Sequence, residues 1–202
     1  QEVVGKWTNT TDSIDEITIT TASANYNLGE TVVLGWDPAD IHTTNFWEEL
    51  ASVELGSAGD NLSSGTFTAK KYLWFQVFAK ASGQLNIDGT FNNDTGSNYS
   101  ARSSRDGTSD GTSVSQTKCN YFTSETTNQF INGFIINNSA NEKLVISHLV
   151  VQNTAGAGTA PRREENVFKW ANTSSQITEL DFDNVGTGSF DTGSIIKVWG
   201  SN

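Results

Sequence analysis

The feature that most narrows the fold of this chain is a duplicated strand-turn-strand unit near its two ends. Residues 2–16, EVVGKWTNTTDSIDE, lie over 165–179, ENVFKWANTSSQITE, at a constant offset of 163. Eight of the fifteen positions are identical: Glu2/Glu165, Val4/Val167, Lys6/Lys169, Trp7/Trp170, Asn9/Asn172, Thr10/Thr173, Ile14/Ile177 and Glu16/Glu179. After one inserted residue, Gly29 lies over Gly193, and Val32 and Leu34 lie over Ile196 and Val198. In each copy a strand end closes on a tryptophan, and the Asn-Thr that follows supplies a turn whose side chains bond their own backbone. Ile17 and Ile19 then alternate with Thr18 and Thr20, as Leu180 and Phe182 do with Asp181 and Asp183, which is the period of a half-buried strand. The duplication therefore predicts paired hairpins. It expects Trp7 and Trp170 in equivalent core environments, and Val32, Leu34, Ile196 and Val198 on the closing strands through which repeated units assemble.

Repeats usually carry a whole folding unit, yet little precedes the first copy. Residues 1–38 accordingly read as the terminal hairpin of a preceding module, or as an N-terminal assembly arm; 39–42 read as a joint, and 43–202 as a complete module. Pro38 within Asp37-Pro38-Ala39-Asp40 marks the joint, because proline holds the residue before it extended. A single domain with similar hairpins at both ends is the alternative. A chain that starts at Gln1 and has no methionine also reads as a processed product or part of a longer polypeptide.

Within 43–202 short apolar runs alternate with polar residues between Gly, Asn and Ser turns, over 50–55, 66–80, 84–91, 114–122, 130–137 and 142–152. These predict an all-β fold, an antiparallel β-sandwich of jelly-roll type. A short helix is expected only over 46–51, where Asn45 would cap it and Glu48 and Glu49 suit its first turn. The polar stretch from Phe91 to Ser113 reads as loop.

Charge narrows the partners. With 12 basic against 23 acidic residues the formal charge is -11, whereas nucleic acids and anionic membranes demand clustered Lys and Arg. No run approaches the ~20 apolar residues of a membrane helix, so neither nucleic-acid binding nor membrane insertion is expected. One cysteine, Cys119, and two histidines, His42 and His148, leave little for thiol, metal or acid/base chemistry. Cys119 and His148 read as strand residues.

Oxygen ligands are more plentiful. Asp88, Asn92, Asp94, Asp106 and Asp110 are candidates for a structural calcium, although their spacing excludes an EF-hand and would require a site built across loops. The competing reading of Asn93-Asp94-Thr95-Gly96 is a tight turn, with Gly96 at positive φ and Asp94 bonding the backbone. Arg102 and Arg105 beside Asp106 and Asp110 read as surface ion pairs rather than an anionic-sugar site. Glu48, Glu49, Glu164 and Glu165 raise glycoside hydrolysis, which needs two facing acids; adjacent carboxylates point apart in a strand, and no enzyme is expected. Six N-x-[ST] sequons, at Asn9, Asn61, Asn93, Asn98, Asn137 and Asn172, are no more than so Asn-, Ser- and Thr-rich a chain would produce by chance.

The order FWEEL (46–50), FTAKKYLWFQV (67–77), FNNDTGSNYSAR (91–102), KWANTSSQIT (169–178) and GSIIKVWG (193–200) resembles β-sandwich modules of bacteriophage and environmental-virus structural proteins, such as tail fibres and virion surface proteins. The resemblance covers nearly all of 43–202, and FNNDTGSNY is its most specific part. It implies a virion or extracellular location, tandem copies, self-association and contact with other virion proteins, and supplies no catalytic residue or cofactor. A carbohydrate-binding adhesin, using aromatics beside Asp and Asn, is the alternative.

Overall fold

The computed structural model describes residues 11, 16–20, 46–108, 110–121 and 124–202. The chain divides into two compact units, 1–42 and 43–202. In the first, residues 16–20 are exposed and form no strand, with Ile17 and Ile19 at 55% and 56% exposure. The half-buried strand expected there is therefore not formed, and the counterpart residues show why: Leu180 and Phe182 are buried because their strand is paired on both sides. Trp7, Val32 and Leu34 lie outside the described residues.

The second unit is all-β among its described residues. Its strands are β1 (Glu48–Glu54), β2 (Asn61–Ser63), β3 (Tyr72–Ala79), β4 (Ile87–Phe91), β5 (Tyr99–Arg105), β6 (Gly111–Gln116), β7 (Cys119–Asn120), β8 (Gln129–Ile136), β9 (Lys143–Val151), β10 (Arg162–Trp170), β11 (Leu180–Asn184) and β12 (Ile195–Ser201). They form an eight-stranded sheet, β1-β12-β3-β8-β9-β10-β5-β6, and a four-stranded sheet, β2-β11-β4-β7. Every pairing is antiparallel.

The two sheets pack face to face as a β-sandwich. Strict alternation places Leu73, Phe75, Val77 and Ala79 of β3 inside, with Ile131 and Ile135 of β8, Val145 and Leu149 of β9, and Ile196 and Val198 of β12. Aromatic rings bridge the layers: Phe75 meets Phe182 at 5.8 Å, Tyr121 meets Phe168 at 5.0 Å, and Phe91 meets Trp170 at 6.0 Å. Offset and edge contacts of this kind add to the stabilisation from burial alone. Gly133 on β8 makes room for Phe75, since a Cβ there would lie 2.4 Å from the Phe75 Cζ. Gly133→Ala should therefore destabilise the fold by about 1–3 kcal/mol through overpacking, measurable by urea unfolding.

Two expectations need correcting. Residues 48–54 form β1, not a helix: Ala51 and Val53 lie against Val198 and Ile196 across the ladder with β12. A six-residue helix would gain too few hydrogen bonds to offset its nucleation, whereas the β12 edge offers a full ladder. The 91–113 stretch is not all loop, because it carries β5 and the start of β6. Its polar residues form strand because β10 and β6 satisfy the β5 backbone on both sides, while Tyr99 turns inward.

Candidate functional site

The expected calcium ligands are dispersed, and each already faces a donor or cation of the chain. Asp88, buried on β4, pairs with Lys118 and accepts from Asn120 Nδ2 at 2.8 Å. Asn92 ties the end of β4 to the segment before β11: its Oδ1 accepts from Thr178 N at 2.8 Å and Glu179 N at 3.1 Å, and its Nδ2 donates to Gln176 O at 2.8 Å. Asp106 accepts from Arg163 N at 2.9 Å and Arg162 Nε at 3.0 Å, which holds its carboxyl below the usual carboxylate range. Asp110 faces Arg102 at 3.8 Å, both well exposed. Among the described residues no three His, Cys, Asp or Glu side chains converge as a metal site.

Asp94 is the hub of the FNNDTGSNY loop. Its carboxylate accepts from Gly96 N at 2.8 Å, Asn98 Nδ2 at 2.9 Å and the buried indole Nε1 of Trp170 at 2.7 Å. The backbone bond is the one expected of a tight turn, but the left-handed positions are Asn92 and Asn93, at φ 51° and 56°, rather than Gly96. Asparagine tolerates that conformation. A Cβ at Gly96 would sit 2.7 Å from Asn98 Nδ2 and displace the side chain that donates to Asp94. The most specific sequence motif is thus a device for pinning Trp170. Trp170 also carries Lys143 Nζ 5.7 Å from its ring centre. The Asn-Thr-Ser turn forms as expected, with Asn172 Oδ1 accepting from Ser174 N and Ser175 N at 2.9 Å each.

Partial burial works to raise the Asp94 pKa and is the largest single influence. The hydrogen bonds from Trp170, Asn98 and Gly96 together outweigh it, leaving the folded pKa lowered. A carboxylate with a lowered folded pKa stabilises the fold fully above its unfolded value of about 3.9, and that contribution disappears as pH falls through the folded value. The stability gap between wild type and Asp94→Asn should therefore be widest above about pH 5 and close in stronger acid. Thermal unfolding across a pH series reads this directly.

The two acidic pairs do not face one another. Glu48 and Glu49 sit on β1 while Glu164 and Glu165 sit on β10, with β12, β3, β8 and β9 between them. At ~4.8 Å per strand that separation is about 24 Å, against the ~5–9.5 Å that glycoside hydrolysis uses. Glu164 points inward, its pKa raised by burial against the opposing pull of Arg105 at 3.5 Å. Beside it on the inner face lie Ser147 and Asn166, all buried, so this polar cluster is closed to an outside ligand. Cys119 is fully buried, which pushes its thiol pKa up. His148 is exposed on β9.

What the fold presents outward is the other face of the eight-stranded sheet. Alternation that sends Ile196 and Val198 inside sends Lys197 and Trp199 out, so these two of the positions expected where repeated units assemble are core residues. Four register rows cross this face; at one end of the strands lie Ser201, Tyr72, Ile136, Leu144, Lys169 and Ser100. Of the other three, one runs Glu49, Trp199, Trp74, Phe134, Ile146, Val167, Arg102. The next runs Lys197, Gln76, Asn132, His148, Glu165, and the third Ile195, Phe78, Phe130, Val150, Arg163. Phe134, Ile146, Leu144 and Val167 are 48%, 60%, 53% and 48% exposed. Trp74 stacks on Trp199 at 4.4 Å and on Phe134 at 6.1 Å, with Trp47 against Trp74 and Phe134, and donates its Nε1 to Asn132 Oδ1 at 2.7 Å. Towards β6 the face dips into a trough of about 460 Å³ lined by Val114, Leu144, Ile146 and Val167. Clustered rather than scattered exposed apolar side chains point to an interaction surface.

Sequence reasoning missed this surface. Its signal was present in LVISHLVV (144–151), where both alternating registers are apolar, as in a strand covered on both faces. Comparison with protein-family models, with curated proteins and with solved structures gives no match, so function is inferred from geometry and residue chemistry.

Proposed function

We propose that the chain is a non-enzymatic structural module of a virion or extracellular assembly, and that it self-associates through the outer face of its eight-stranded sheet. The observation that carries this is the exposed apolar surface around Phe134 and Ile146 on strands buried on their other side. Such a face is stable in water only at a cost, and covering it returns roughly 25 cal/mol per Å² of apolar area. The strand order supports the jelly-roll wrapping expected of such modules. With the β5-β6 and β9-β10 additions set aside, the chain alternates between sheets and leaves β1-β12-β3-β8 opposed to β2-β11-β4-β7, as in a double Greek key. The acidic charge and the Ser-, Thr- and Asn-rich remainder suit a surface kept soluble outside the contact.

Electron microscopy of the purified chain tests the proposal. Ordered particles, fibres or discrete oligomers are expected from wild type, and dispersed molecules from Phe134→Glu. Dispersed wild-type molecules would overturn it.

A second reading is supported by the Trp74, Trp199 and Phe134 platform beside Asn132, whose flat rings suit stacking against sugar faces. It makes the chain a glycan-binding adhesin. Trp199→Ala would then abolish retention on a polysaccharide matrix, while the structural role predicts no retention by wild type.

A further inference from the structure

Resting on the assembly role proposed above, we infer that the contact is a two-fold pair of identical chains, stacked outer face to outer face with the axis running along β8. Size, apolarity and charge order on the face point to this occupant. Eight strands at ~4.8 Å spacing and some six residues at ~3.3 Å give a face of roughly 34 by 20 Å, or about 700 Å² per copy. That lies within the ~600–1,000 Å² per partner of a standard stable interface.

The charges select the symmetry. In two rows charges of opposite sign stand at opposite ends, Glu49 against Arg102 in one and Lys197 against Glu165 in the next, whereas Arg163 and Lys169 of β10 stand against the uncharged Ile195 and Ser201 of β12 in the other two. A two-fold axis along β8 exchanges β3 with β9, β12 with β10 and β1 with β5, because β8 lies midway between the members of each pair in the sheet. Each row then meets its own reverse. Lys197 lies opposite Glu165 of the second copy, Glu49 opposite its Arg102, Trp74 opposite its Ile146, and Phe134 meets its counterpart on the axis. A two-fold axis across the strands along that row would instead set Lys197 against Lys197 and Glu165 against Glu165, which like-charge repulsion disfavours. Aligned packing at about 30° between the sheets is the ordinary geometry for such faces, and self-complementarity of one patch is what an isologous dimer requires.

The test is a charge exchange in the full chain. Lys197→Glu places like charges at both symmetric contacts of its own pair, and so does Glu165→Lys. Each should weaken self-association about tenfold or more. Mixing the two, one of them isotope-labelled, creates a mixed pair in which both contacts are again opposite in sign. Native mass spectrometry should find the mixed pair dominant, and the double variant Lys197→Glu/Glu165→Lys should self-associate within about threefold of wild type. The double variant also controls for loss of the exposed intrachain pairs Lys197–Glu49 and Arg163–Glu165. If wild type associates and Ile146→Glu disperses it, but mixing gives no preference for the mixed pair, the two-fold arrangement is overturned and the assembly role stands. If wild type is monomeric at all accessible concentrations, both are overturned.

Discussion

Trp170→Ala should lower the free energy of unfolding by about 3–5 kcal/mol, the range for removing a fully buried large aromatic. The indole is 1% exposed, packs edge-on against Phe91, lies beneath Lys143 and donates to Asp94. Truncation therefore leaves a cavity between the sheets and also strands the Asp94 carboxylate that organises the 91–98 loop. Trp170→Phe separates the two effects: it keeps part of the ring volume and loses the hydrogen bond to a charged acceptor, worth ~1.5–3 kcal/mol. Urea unfolding of both variants gives the comparison. A loss below about 1 kcal/mol in Trp170→Ala would show that the indole is not a core anchor.

Much of the architecture was legible in the sequence because it rests on period-two burial. β3, β8, β9, β11 and β12 follow from runs whose inward residues are apolar, and the packing of Trp170 followed from its place in the repeat. What was not legible depends on partners distant in sequence. β1 and β5 are strands because β12, β10 and β6 present backbone groups to them, although their own composition suggests helix or loop. The FNNDTGSNY motif reads both as a ligand cradle and as a tight turn, because aspartate and asparagine serve equally as metal ligands and as turn fasteners; the bond from Trp170 Nε1 to Asp94 joins residues 76 apart and has no local signal. The outer face went unread for another reason. In Leu144, Ile146 and Val150 an apolar residue on the solvent side looks the same as one on the core side until the register is known.

Asn137 shows the same ambiguity with a larger energetic consequence. In the sequence it is one glycosylation sequon among six, yet in the fold it is fully buried and closed to a glycan. Its Nδ2 donates to Lys70 O at 2.9 Å and Ile177 O at 3.0 Å, and its Oδ1 accepts from Ile177 N at 2.7 Å. It thereby links the end of β8 to the segments leading into β3 and β11. Asn137→Ala leaves the Ile177 N–H and C=O buried without these partners, at ~1–3 kcal/mol each, so a loss of about 2–5 kcal/mol is expected. Asn137→Asp should be no better, since a carboxylate would face the two carbonyl oxygens that now accept from the amide. Chemical denaturation checks both. A wild-type midpoint for Asn137→Ala would mean that the 177 backbone finds other donors and acceptors.

These losses concern folding; the central claim concerns the outer face, where substitutions should spare stability and change association. Sedimentation velocity of the full 202-residue chain, with wild type and Ile146→Glu run side by side over a wide concentration range, tests it most directly. Wild type should sediment as an associating species whose coefficient rises with concentration. Ile146→Glu, its side chain on a position 60% exposed in the isolated chain, should sediment as a monomer with an unchanged unfolding midpoint. A monomeric wild type, or an Ile146→Glu chain that associates as wild type does, would contradict the assignment of this face to assembly.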